Sequence, residues 1–316
     1  MVQSNAVPQP GNEARQAAIE PQTIAVPQPA PVRPFAEPDR SPEVQQEVDR
    51  VRSSDTYRHV SRDVALFSWL NSQRDSRSNG YIVGANFADL RKACQFYRLQ
   101  YVRRKGVLYT IPMPIAYAEV EQHGSPIDLF IAILESLGSP FAEIGPLKDI
   151  RSRTLGTLKS FGVKILIVGN ADCLSYESYN ELVRLTWKLK IPVILAGSLY
   201  LSEIFSNFLK RRGKRYRDIY NNFLDFHEYQ SFQKGEIQQL VASWENQVLN
   251  SWTQKLDLIS IAGVPDFLHH RCEGQAEPLY EILRKIAVFK LDNPSYQFNK
   301  ANIEKMLSSR MIPNRS

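Results

Sequence analysis

Apolar residues along this chain fall into two rhythms: short continuous runs, and stretches that repeat every three to four positions. Their alternation predicts the architecture. Tyr81-Ile82-Val83 predicts a short strand, and Phe87, Leu90, Cys94, Tyr97 and Tyr101 predict a helix directly after it. Residues 107–118 read as a second extended run, broken by Pro112 and Pro114. Residues 126–137 and 147–161 read as helices. Lys164-Ile165-Leu166-Ile167-Val168 has the continuous apolar character of a strand buried on both faces of a parallel sheet. A helix over 175–189 and a strand over 191–196 continue the alternation, which predicts an α/β fold around an open, mostly parallel, three-layer sheet. Strand patterns become scarce after Tyr229, while 236–252, 278–291 and 299–309 are helix-compatible. An α/β domain over residues 51–229 and a small all-helical domain over residues 230–316 are therefore expected.

Residues 1–50 do not follow this rhythm. Nine of the nineteen prolines fall within the first 45 residues, and Gln, Ala and Glu fill much of the rest, so a disordered Pro-rich tail is expected over residues 1–50. Ala6-Val7-Pro8-Gln9-Pro10 returns as Ala25-Val26-Pro27-Gln28-Pro29. The repeat reads either as a duplicated extended recognition motif or as drift within a low-complexity stretch.

Composition narrows the class. With 43% hydrophobic and 23% charged residues the chain is an ordinary globular protein, not a collagen, a coiled coil or a disulfide scaffold. No run approaches the roughly 20 apolar residues that cross a bilayer, and no signal region opens the chain, so a cytoplasmic protein with no membrane partner is expected. The three cysteines, Cys94, Cys173 and Cys272, are far apart and odd in number, which argues against a disulfide framework. The net charge is +6, but residues 1–50 hold four arginines and seven acids, so the remaining 266 residues carry +9. A basic body suits a polyanionic partner.

In an α/β protein the ligand belongs at the carboxyl ends of the strands. A phosphate-binding turn there reads G-x-x-x-x-G-K-[ST], because glycines let amides curl around phosphate, Lys neutralises it and the hydroxyl holds magnesium. Here the turn reads Gly84-Ala85-Asn86-Phe87-Ala88-Asp89-Leu90-Arg91. Only Gly84 survives: Asp89 stands at the second glycine, Leu90 at the lysine and Arg91 at the Ser/Thr. The strand over 164–168 ends in Gly169-Asn170, where a magnesium aspartate and a catalytic glutamate would stand. Asp172 follows two residues later and is expected to cap the next helix rather than hold metal.

The order and spacing of these pieces resemble the AAA+ ATPase regulators of DNA transposition, the TnsC/TniB family, especially those of CRISPR-associated transposons. The resemblance covers about residues 60–310. It is carried by Trp69-Leu70, Gly80-Tyr81-Ile82-Val83-Gly84, Ala93-Cys94-Gln95-Phe96-Tyr97-Arg98, Arg151-Ser152-Arg153-Thr154-Leu155, Ala171-Asp172-Cys173-Leu174 and Ile191-Pro192-Val193-Ile194-Leu195-Ala196-Gly197-Ser198. Trp244-Glu245-Asn246-Gln247-Val248-Leu249 and Glu281-Ile282-Leu283-Arg284-Lys285-Ile286-Ala287 match the family's helical lid.

The resemblance implies an AAA+ P-loop-like three-layer sheet followed by a small lid. Carried over residue by residue, it puts Gly84, Asp89, Leu90, Arg91, Gly169 and Asn170 in a degenerate nucleotide site. Ser198 keeps the sensor hydroxyl, and Asn222 takes the arginine-finger position, with Arg215 and Arg217 close by. Such losses imply a pseudo-ATPase with no catalytic residues, no cofactor and no metal. The implied partners are double-stranded DNA, a transposase, target-selection proteins and an active AAA+ homologue, within a homo- or hetero-oligomer. The rival expectation is an ATP-binding AAA+ ATPase whose site is rewired around Arg91, Lys92 and Asp172. A further rival is a regulator with no tie to transposition.

Two basic clusters suit a phosphate backbone: Arg103, Arg104 and Lys105, and then Lys210, Arg211, Arg212, Lys214, Arg215 and Arg217 with Tyr216 among them. The alternative for both is a solvated loop or a subunit-contact face. His269, His270 and Cys272 lie close together, but a zinc site needs four ligands and no second Cys/His pair is near.

Overall fold

The computed structural model describes residues 40–101, 112–121, 123–211 and 213–309. The proline repeat, the Arg103, Arg104 and Lys105 cluster, Arg212 and the start of the extended run over 107–118 lie outside the described residues.

Five strands form one parallel sheet. They are β1 (Gly80–Gly84), β2 (Ile115–Glu119), β3 (Ile165–Gly169), β4 (Val193–Ser198) and β5 (Asp225–Tyr229), in the spatial order β2-β3-β4-β1-β5. Successive side chains leave a strand on opposite faces, so each central strand feeds two cores. Ile82, Ile165, Ile167, Ile194 and Ala196 pack with α2 (Ser61–Ser76) and α3 (Phe87–Gln100). Val83, Leu166, Val168, Val193 and Leu195 pack on the other face with α4 (Pro126–Ser136), α5 (Leu147–Ser160), α6 (Tyr176–Leu189), α7 (Tyr200–Lys210) and α8 (Lys214–Asn222). This is the three-layer arrangement that the apolar runs predict.

A further core is built mainly from helices, among them α9 (Ile237–Val248), α10 (Val264–Cys272), α11 (Ala276–Asp292) and α12 (Lys300–Ser309). Among the described residues, no helix is long and apolar enough to cross a membrane.

The expectation of a disordered tail through residue 50 is corrected at its end. Residues Pro42–Arg52 form a helix, α1, with Ser41 at its N-cap and Pro42 in its first turn. Val44, Val48 and Val51 recur at spacings of four and three, and they seat α1 in the helical core beside α11. The Arg40 guanidinium donates to Asp292 at 2.6 Å, and the Trp252 indole N–H donates to Glu47 at 2.5 Å. Burying Val48 and Val51 stabilises this docking by about 3–6 kcal/mol. A chain beginning at Ser53 is therefore expected to unfold at lower urea than one beginning at Arg40. Equal midpoints would remove α1 from the core.

Candidate functional site

The parallel register lines up the carboxyl ends of the strands: Gly84 stands beside Ser198 and Tyr229, and Glu119 beside Gly169. Gly84, Gly169 and Ser198 therefore share one end of the sheet. What they do there differs from phosphate binding.

Only Ala85 and Asn86 separate β1 from α3, too short a turn to wrap a phosphate chain. The anion-binding amides of the α3 N-terminus are already used. Asn86 Oδ1 accepts from the N–H groups of Ala88 (2.9 Å) and Asp89 (3.3 Å), and Asn86 Nδ2 donates to Gln275 Oε1 at 2.8 Å. Asp89 points the other way, toward the helical region. It is 3% exposed and accepts from the Arg62 guanidinium at 2.7 Å, the Ala276 N–H at 2.6 Å and the Glu277 N–H at 2.9 Å. The last two are first-turn donors of α11, whose own N-cap residue Gln275 makes no side-chain cap. A carboxylate from the α/β body thus caps a helix of the lid, where the dipole favours negative charge.

The neighbouring positions are filled in the same manner. Leu90 is fully buried in the α2/α3 core. Arg91 pairs with Glu119 at 3.2 Å, and Lys92 pairs with Glu277 at 2.6 Å and Asp55 at 2.7 Å. Asn170, in the left-handed region at φ 53°, donates to Glu119 at 3.3 Å, and the Tyr117 hydroxyl donates to the same carboxylate at 3.0 Å. A β-carbon on Gly169 would stand 2.5 Å from that hydroxyl. Asp172 does not cap the following helix. Ser175 does, while Asp172 accepts from the Ser198 hydroxyl at 2.6 Å. The three groups that would rewire the site are therefore committed to protein partners.

Beneath this edge, Arg62 lies 4.5 Å over the Tyr229 ring, and the Tyr229 hydroxyl donates to Asp63 at 2.5 Å. Burial pushes the Asp63 carboxyl above its ordinary value, against the bonds from Tyr229 and Val60 that favour its charged form. Tyr57, Arg62, Asp63, Asp89, Ala276 and Tyr280 line a cavity of about 10 Å³. That is room for about one water, whereas a small-molecule site takes roughly 300–1,000 Å³. A nucleoside triphosphate with its metal does not fit this set of residues.

The remaining expected residues lie elsewhere. Asn222 ends α8 and donates to the Asp218 carbonyl within its own helix at 2.7 Å. Lys210 closes α7, and Arg211 lies over the Tyr216 ring and donates to its hydroxyl at 2.8 Å. Lys214, Arg215 and Arg217 stand exposed in the first turn of α8. Cys272 is buried, and the His269 ring meets the Phe232 carbonyl at 3.3 Å.

The model of the bacterial TniB protein family matches residues 64–207, a span that runs from α2 through β4 into α7. Over this span the chain is similar to the TniB proteins. Two solved structures share the wider architecture. One is the Aeropyrum pernix ORC2 protein in its ADPNP-ADP complexes, at 12% identity and a TM-score of 0.55, covering 82% of this chain and 71% of that chain. The other is Drosophila ORC bound to DNA, at 14% identity and a TM-score of 0.52, covering 90% of this chain and 70% of that chain. At such identities the likeness shows the fold, which is that of the AAA+ proteins with a helical region after the sheet. Among curated proteins there is no match to the sequence.

Arg62 is the residue that sequence reading missed. It lies outside every nucleotide motif, and its one signal is a cation placed just before the apolar stretch of α2.

Proposed function

We propose that the chain is a non-catalytic AAA+-like regulator of DNA transposition, a pseudo-ATPase that assembles on double-stranded DNA and links target selection to the transposase. An active AAA+ homologue is a natural member of that assembly. The observation that carries this reading is Asp89. It supplies, from within the chain, the negative charge that a phosphate would bring to a cationic side chain and to the first turn of a lid helix. Body and lid are thereby joined without a ligand. Phosphoryl transfer rests on positioning and charge stabilisation, and the cations nearest the turn, Arg91 and Lys92, are neutralised by carboxylates.

The DNA part of the reading draws support from α8. Lys214, Arg215 and Arg217 crowd the positive end of its dipole, with no acid in that turn, an arrangement each cation weakens by about 0.3–1 kcal/mol. A phosphate backbone laid across that turn reverses the sign.

Thermal unfolding with and without magnesium ATP tests the nucleotide part. A ligand at a hundred times its Kd stabilises a fold by about 2.7 kcal/mol. No shift is expected with millimolar ATP, and electron microscopy of the protein on duplex DNA is expected to show the same assemblies with and without nucleotide. Assemblies that form only with ATP would overturn the reading.

A further inference from the structure

At the opposite end of the sheet from Gly84 and Gly169, where β3 and β4 begin, lies an open groove of about 640 Å³. Its rim is cationic. Arg77, Lys159, Lys164, Lys188 and Lys190 line it, all exposed, and among the described residues none has an ion-pair partner. Arg74 lines it too, paired with the one acid present, Asp75, at 3.1 Å. Between the cations Leu189 and Ile191 are half-buried at the floor, with Leu158 and Val163 buried behind them.

Cations gather at helix C-termini for an ordinary reason, since the exposed carbonyls there carry partial negative charge. Three helices, α2, α5 and α6, end at this groove. Their ends supply about half a charge each, which together with Asp75 leaves about three and a half positive charges uncompensated. The backbone adds a second sign of purpose. Arg77 and Lys190, the C-caps of α2 and α6, sit in the left-handed region at φ 58° and φ 57°. Glycine adopts that conformation freely, and a residue with a β-carbon is disfavoured there. At both ends the chain carries a long cation instead.

We propose that this groove docks an acidic, apolar-anchored peptide segment of a protein partner. The cationic rim takes its carboxylates and the floor takes its aliphatic or aromatic side chains. A duplex would engage the rim but leave the floor bare, because its backbone presents a convex and wholly polar surface. The inference stands apart from the nucleotide reading and holds whether or not the site at the other end binds ATP.

The test is fluorescence anisotropy of the full chain with a labelled synthetic peptide of alternating glutamate and leucine. A version with serine in place of leucine and a short unlabelled duplex DNA serve as competitors. Saturable, salt-sensitive binding is expected, with weaker competition from the serine version and from DNA. The variant Arg77→Gly with Lys190→Gly relieves backbone strain, so its melting temperature should equal or exceed the parent's, while its affinity should fall roughly tenfold or more. Lys159→Gln with Lys164→Gln should weaken binding similarly without touching either helix cap. The proposal is overturned if the peptide does not bind, if these variants bind it as the parent does, or if DNA displaces it better than the serine version and loses affinity in the same variants. That last result would assign the groove to nucleic acid.

Discussion

Asp89→Ala is expected to cost about 3–5 kcal/mol of stability and to loosen the helical region from the sheet, because it strips three buried partners at once. Arg62, whose side chain is 10% exposed, would keep its charge between the rings of Tyr229 and Phe232 with its principal carboxylate gone. Asp63 also bears on Arg62 through its charge, but its two oxygens are held by the Tyr229 hydroxyl and the Val60 N–H, so it offsets only part of the loss. The first turn of α11 would lose its only side-chain cap among the described residues. Asp89→Asn keeps one acceptor oxygen and should lose about half as much. Asp89→Gly, which returns the second glycine of a phosphate loop, should be worse than alanine by about 1 kcal/mol, because the position now lies inside α3. Urea unfolding measures the loss. Hydrogen exchange locates it: the amides of Ala276 and Glu277 should exchange faster while those of β3 and β4 stay protected. An alanine variant with unchanged midpoint and exchange would mean that Asp89 does not clamp the lid.

The parts of this fold that were legible in the sequence are those where burial is local. β3 and β4 are buried on both faces, so their apolar runs are continuous, and α3 shows its inward stripe from Leu90 to Tyr97. β5 was not legible. It is an edge strand in which only Tyr229 is buried, so Asp225-Phe226-His227-Glu228 carries no strand rhythm. α1 was hidden by its Gln and Glu content, although Ser41-Pro42 and the spacing of Val44, Val48 and Val51 announce a capped amphipathic helix. α10, nine residues long between Gly263 and Glu273, is too short for periodicity to reveal.

The candidate site divides along the same line. That positions 89 to 91 and 169 to 170 lack the phosphate-loop and metal groups can be read from residue identity alone. What those residues do instead depends on partners remote in sequence: Asp89 meets α11 nearly two hundred positions later, and Asp172 meets Ser198 at the end of another strand. A local pattern records which group is missing, and only the packed chain records what took its place.

Gly169→Asp, which puts an acid back at the end of β3, should destabilise the fold by about 3 kcal/mol instead of creating a magnesium site. The new β-carbon would lie 2.5 Å from the Tyr117 hydroxyl oxygen, 3.0 Å from the Tyr117 Cζ and 3.3 Å from a Phe87 ring carbon. Tyr117 has little freedom to yield. Its ring is buried among Ile115, Ile165 and Ile167, and its hydroxyl is tied to Glu119. Burial also holds the phenol pKa well above its usual value, so the hydroxyl remains a neutral donor to that carboxylate. The added aspartate would then face Glu119, its neighbour in register, with Arg91 as the one cation paired there. Tyr117→Ala clears the space at the cost of a cavity, so a double-mutant cycle separates the two effects. A coupling of about 1 kcal/mol or more is expected, with the second substitution partly rescuing the first. Magnesium ATP should stabilise neither the single nor the double variant, because Leu90 stays in the core and Asp89 stays on α11. A Gly169→Asp protein as stable as its parent, or one stabilised by magnesium, would show that the strand end still has room for the metal.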